Sequence, residues 1–178
     1  MARISQRRLQ EFFRIAEDAE TTTEKGRALE DMTCYLFDKV PGITITKRNE
    51  LNVFQSEEID VAFWNKAQPN GFYFLPNIIL VECKNWSSPL GSEEVSWFDS
   101  KLRRRAQPFG ILIATNGITG DPNELTSAHD IISTALTENR QLVVITKEEV
   151  LGLNDTEELV ELIQEKLCEL AVAGTLLL

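Results

Sequence analysis

Hydrophobic residues recur along this chain with two periods. Helical spacing predicts helices over about 4–19, 24–40, 92–105, 122–138 and 156–171. Alternation, or a short unbroken apolar run, predicts strands near 43–48, 58–64, 78–84, 109–115 and 141–146. In the second helix Leu29, Met32, Leu36 and Val40 form one apolar stripe, extended by Phe37 and Cys34, with Arg27, Asp31 and Asp38 opposite. Thr21-Thr22-Thr23-Glu24 supplies its capping chemistry. Gly91-Ser92, with Glu93 and Glu94 following, opens the helix at 92. The Pro-, Gly- and Asn-rich stretch 65–77 reads as a loop or an irregular hairpin end. Strands that alternate with helices in the second half imply an α/β fold: a central mixed β-sheet of about five strands flanked by helices on both faces. A chain of 178 residues is long enough for one sizeable core, hence one domain. It divides into a helical extension (1–20), a core (22–150) and an acidic C-terminal helix (151–178).

The strand at 78–84 breaks the pattern at its end. Ile78-Ile79-Leu80-Val81 is apolar, but Glu82 and Lys84 follow two positions apart and therefore share a face, with Cys83 turned away. A strand this apolar is normally buried on both sides. A carboxylate and an ammonium placed there cost several kcal/mol, roughly, unless paired or liganded. The tripeptide alone is a weak signal, since an acid-x-Lys occurs about once by chance in such a chain. Asp99-Ser100-Lys101 is a second match, in a predicted helix. A strand-end salt bridge is the plain alternative.

Upstream, Ile59, Val61 and Phe63 face one way while Glu58, Asp60 and Ala62 face the other. Antiparallel pairing with the 78–84 strand would set Asp60 beside Glu82, and adjacent carboxylates repel unless one is protonated or a cation lies between them. A hard divalent cation meets that need, and Mg²⁺ requires only one or two carboxylates with water and phosphate. Otherwise Glu58 and Asp60 are the solvated face of an edge strand. Glu30 falls between Phe37 and Cys34 at the edge of the core-facing surface of its helix, as a boundary residue or as a group that reaches a site.

Lys25-Gly26-Arg27-Ala28-Leu29-Glu30, Ile59-Asp60, Val81-Glu82-Cys83-Lys84-Asn85-Trp86 and the later run Gly110 to Gly120 together resemble the Mrr-type restriction endonuclease catalytic domain of the PD-(D/E)xK nuclease superfamily. The resemblance covers about 22–150, with Ile59 where the superfamily name has proline. It implies a restriction-endonuclease-like core and a metal-dependent DNA endonuclease, with Glu30, Asp60, Glu82 and Lys84 catalytic. Asp60, Glu82 and the backbone carbonyl of Cys83 would hold Mg²⁺, for which Mn²⁺ can substitute. Lys84 would orient the attacking water and stabilise the phosphate. Near a cation its own pKa could fall far enough for it to act as a base.

Charge complicates the picture. The chain carries −10, yet residues 148–178 hold eight acids and one lysine (−7), leaving −3 elsewhere. The final helix is thus expected to be a solvated acidic face, away from DNA. Lys101, Arg103, Arg104 and Arg105 could track a phosphate backbone, with Asn116 and Thr119 contributing from the next loop and Trp86 walling the cleft. Basic residues at a helix C-terminus are the ordinary alternative. Cys34, Cys83 and Cys168 sit in apolar patterns, as reduced core thiols would. His129, the only histidine, reads as a surface residue. The polar start and the lack of any run of 18 apolar residues imply a cytoplasmic protein with no membrane partner. Double-strand cutting implies a homodimer, and sequence specificity would come from loops or from a partner protein. Two alternatives stand beside a restriction or antiviral defence role. One is a structure-selective, junction resolvase-like nuclease. The other is a non-catalytic interaction subunit that docks through the acidic helix and Leu176-Leu177-Leu178.

Overall fold

The computed structural model describes residues 2–51, 57–121 and 127–176. Two helices, α1 (Gln6–Asp18) and α2 (Thr22–Phe37), precede three strands, β1 (Ile43–Leu51), β2 (Glu58–Asn65) and β3 (Ile78–Lys84). Then follow α3 (Ser92–Arg104), β4 (Phe109–Ala114), α4 (Ala128–Thr137), β5 (Gln141–Ile145), α5 (Lys147–Gly152) and α6 (Thr156–Ala173). The strands lie in sequence order in one sheet. β1, β2 and β3 pair antiparallel, and β3, β4 and β5 pair parallel. The sheet is mixed and five-stranded, as the pattern implied.

Parity along the strands assigns its two faces. Val61 lies opposite Val81, and Val81 opposite Ile111, so Val61, Val81, Cys83, Ile111 and Ile113 share one side. α2 covers that side: Phe37 stacks on Phe63 with centroids 5.0 Å apart, and Thr33 Oγ1 lies 3.4 Å from Cys83 Sγ. α3 covers the other side, where a Cβ on Gly110 would come within 2.7 Å of Leu102 and 2.8 Å of Phe98. Glycine at 110 therefore lets α3 settle directly on β4. Helices flank both faces, and the apolar core is continuous through the sheet.

Several boundaries differ from the periodic reading. α2 starts in a full capping box, Thr21 with Glu24, and ends at Phe37, short of Pro41. β1 runs on to Leu51 although its residues after Ile43 are exposed, because hydrogen bonding to β2 rather than burial holds it. The short α5 carries its own capping box, Thr146 with Glu149. The helix expected from 122 is described only from Ala128; 122–126 lie outside the described residues. His129 is buried, not exposed: its Nδ1 lies 3.0 Å from Thr175 Oγ1 and joins α4 to the C-terminal segment. Cys168 is exposed, whereas Cys34 and Cys83 are buried. Leu176 is fully buried, which removes it from a free docking tail; Leu177 and Leu178 lie outside the described residues.

Gly110→Ala should overpack the α3–β4 contact, because Leu102 and Phe98 are themselves fully buried and have nowhere to move. A cost of about 1–3 kcal/mol is expected, read as a fall of several degrees in Tm.

Candidate active site

β3 carries Glu82 and Lys84 to its C-terminal end, where the parallel neighbour β4 also stops and chain turns open a cleft. The register that pairs Val61 with Val81 places Asp60 next to Glu82 on the face toward α3. Asp60 Oδ2 accepts the Cys83 backbone N–H at 2.7 Å. Glu82 is 2% exposed, and its charge is met by two ammonium groups. Lys84 Nζ lies 2.8 Å from Oε1, and Lys101 Nζ lies 2.7 and 2.8 Å from Oε1 and Oε2. A carboxylate offers about four acceptor positions. Lys101 occupies one on each oxygen and Lys84 a second on Oε1, which leaves one on Oε2.

Glu30 approaches from α2, one turn before the Thr33 that touches Cys83. It is 6% exposed. Asn49 Nδ2 donates to its Oε2 at 2.9 Å, and Arg48 reaches the same oxygen at 3.4 Å while pairing with Asp31 at 2.8 Å. Glu30, Asp60, Cys83 and Lys84 line one cleft of about 400 Å³, with Lys25, Gly26 and Arg27 from the start of α2 at its rim and Trp86 at its far side. The side chain of Glu82 lies beneath Lys84 rather than at the cleft surface.

The electrostatics follow from that geometry. Burial pushes Asp60 up to about 6, and the Glu82 charge adds to the effect. The Cys83 N–H, Lys84 and Lys101 pull the other way without cancelling it. Burial presses Lys84 downward, but Glu82 outweighs it and the net shift is upward. Without a cation Lys84 is therefore an ammonium, a donor and a charge stabiliser rather than a base. Burial holds the Cys83 thiol well above its usual range, so it is inert.

Among the described residues, no three His, Cys, Asp or Glu side chains cluster tightly enough to hold a metal ion by themselves. The donors are of another kind: one carboxylate facing a cleft, a backbone carbonyl and a second carboxylate with a free lone pair. That oxygen set suits a hard ion such as Mg²⁺, which keeps several waters. Burial and the neighbouring Glu82 raise Asp60 to about 6, the unfavourable carboxylate proximity that a cation between the two groups would relieve. The residues fit the ion.

The basic run that follows β3 does not line the cleft. Lys101 is buried on Glu82, facing the sheet instead of solvent. Arg104 and Arg105 both pair with the buried Glu57. Arg103 joins Asp99 and Glu138. Arg140, whose Nε donates to Asp99 at 2.7 Å, completes that group. These arginines neutralise buried acids; they do not line the cleft. Asn116 and Thr119 also lie outside it. The Asn116 amide and the Thr115 hydroxyl donate to the Trp86 carbonyl, and the Thr119 N–H donates to the Leu90 carbonyl at 2.8 Å, so they pin the loop after Lys84. Lys25 and Arg27 are the cleft cations that periodicity did not single out; neither forms a salt bridge among the described residues. In the sequence Lys101 stood out as the second acid-x-Lys match and as part of the basic run, not as a partner of Glu82.

A mixed five-strand sheet with a buried Glu-x-Lys at the end of β3 and a carboxylate of β2 beside it defines a restriction-endonuclease-like nuclease domain. The Mrr_cat family model, described as a restriction endonuclease, matches residues 22–143, more than half of the chain. The chain belongs to this family, and its core is a restriction-type nuclease domain. No curated protein matches the chain.

Two substitutions separate the roles of the charges. A pKa raised from 3.8 means that the folded state binds the Asp60 proton more tightly than the unfolded chain. Metal-free stability is therefore lost as pH climbs from about 4 to about 6. Asp60→Asn should be more stable than wild type at pH 8 in EDTA by roughly 1–3 kcal/mol, and the gain should shrink toward pH 4. Lys101→Met leaves Glu82 with Lys84 alone and should cost about 3 kcal/mol, or roughly 6–12 °C in Tm. Paired thermal melts read both.

Proposed function

We propose that this protein is a metal-dependent DNA endonuclease that hydrolyses phosphodiester bonds with Mg²⁺, Mn²⁺ substituting, in restriction or defence against foreign DNA inside the cell. The observation that carries this reading is the convergence of Glu30, Asp60, Cys83 and Lys84, from three separated segments, on one cleft whose rim bears Lys25 and Arg27.

Asp60 and the Cys83 carbonyl would hold the ion, with Glu82 contributing through its remaining Oε2 position. When bound, a divalent cation supplies Lewis acidity at the phosphoryl oxygen and a more acidic water. The chain's own residues do the rest. Lys25 and Arg27 attract and position the phosphate backbone. Lys84, a protonated amine 29% exposed at its side chain, is the mobile one of the two amines on Glu82. On leaving Oε1 it donates to a phosphate oxygen and stabilises the charge that grows there. Lys101 stays on both oxygens of Glu82, so that carboxylate remains oriented and paired when Lys84 moves. Glu30, fixed by Asn49 and Arg48, closes the α2 side and orders water in the cleft. The acidic α6 remains remote from the substrate path.

One cleft per chain cuts one strand, so double-strand cleavage needs two copies, and a homodimer is the simplest assembly. Among the described residues no helix is long and apolar enough to cross a membrane.

Wild-type protein with Mg²⁺ should nick supercoiled plasmid, and EDTA should abolish nicking. Asp60→Asn and Lys84→Ala should each lower the rate by about 10²–10³-fold or more while keeping a cooperative melt. Equal nicking by wild type and both variants would remove this site from the reaction.

A further inference from the structure

A second cavity adjoins the cleft. It measures about 190 Å³, and Lys84, Trp86, Glu93, Glu94 and Trp97 line it. Lys84 and Trp86 also line the main cleft, so the two spaces share a wall. Trp86 and Trp97 are 45% and 50% exposed, an unusual amount of bare indole for two residues around one small space. Neither ring stacks on another aromatic among the described residues. Trp86 is held in place, because its carbonyl accepts from both Thr115 and Asn116. Glu93, Glu94 and Trp97 stand one turn apart on α3 and so share a face. Neither glutamate carboxylate has an ion pair or side-chain hydrogen bond among the described residues.

Resting on the nuclease reading above, we propose that this cavity receives one unstacked nucleobase of the DNA strand whose phosphate lies at Lys84, and that it prefers bases bearing an exocyclic amine. The indoles supply the π-faces on which an extruded base stacks. Glu93 and Glu94 supply acceptors for amino donors such as cytosine N4 or adenine N6, which thymine lacks. A phosphate is disfavoured there, because two unpaired carboxylates repel it. A cationic side chain would be drawn by the same carboxylates and indoles, and quenching by a lysine-rich peptide distinguishes it from a base. The volume is below the roughly 300–1,000 Å³ of sites for drug-sized ligands and suits a single ring system. Glutamates in the first turn of α3 also favour the helix dipole. Glu94→Gln separates the two roles, since a dipole role alone would lower the melt and leave the base preference unchanged.

The test uses the full chain in EDTA, where nothing is cut. Binding is measured by fluorescence anisotropy on labelled duplexes, either fully paired or carrying one unpaired adenine, cytosine, guanine or thymine. Wild type should bind the duplexes with an unpaired amino-bearing base about tenfold or more tighter than the paired control. Trp97→Ala should erase that preference, Trp97→Phe should keep most of it, and Glu94→Gln should narrow the gap between cytosine and thymine. Preference that survives Trp97→Ala overturns the proposal, as does indole quenching by a lysine-rich peptide but by none of the duplexes. Plasmid nicking by wild type without any unpaired-base preference sinks this inference alone. Failure to bind every duplex, together with no nicking, sinks the nuclease reading as well.

Discussion

A carboxylate sealed from water at the end of a core strand sets the terms for the rest of the molecule. Glu82 at 2% exposure is tolerable only because two ammonium groups meet it, and one of them comes from a different element. Lys101 can do this only if α3 lies directly on the sheet. That closeness depends on Gly110, where any side chain would collide with Leu102 and Phe98. Fold and chemistry are coupled at this point: the packing of one helix determines whether the buried carboxylate has its second ammonium partner and which way it points.

The same economy explains how an acidic protein of net charge −10 can present a cationic cleft rim. Most of its arginines near the site are paired with acids, the buried Glu57 and Asp99 above all. Lys25 and Arg27, near the start of α2, form no salt bridge among the described residues. Both line the cleft beside Lys84. Local charge at the cleft is thus set by placement rather than by overall composition.

Much was legible from pattern. The capping box at Thr21, the alternation that faces Asp60 toward Glu82 and the apolar run into Glu82 and Lys84 are local properties, and the structure keeps all three. The position of Glu30 at the margin of its apolar stripe matched a side chain that is buried yet lines the cleft. What escaped was non-local. Lys101 looked like one more cation in a basic helix end, because nothing within a few residues of it reveals a carboxylate 19 positions earlier in the chain. His129 and Leu176 looked exposed because each is covered by elements distant in sequence. The short α5 was missed for a different reason: six residues are too few to display a period, although Thr146 and Glu149 spell out its cap.

Order along the chain determined the elements, the pairing of faces across β2 and β3 and the candidate set of three acids and one lysine. These depend on side-chain periodicity and on neighbours close in sequence. Tertiary structure alone decided which charges are free and which are spent. A charge is neutralised by whatever lies within about 3–4 Å, and at that range distance along the chain carries no information. It turned Lys101 into the partner of Glu82, withdrew Arg103, Arg104 and Arg105 from the cleft, and left Lys25, Arg27 and Lys84 facing the space where substrate chemistry would occur.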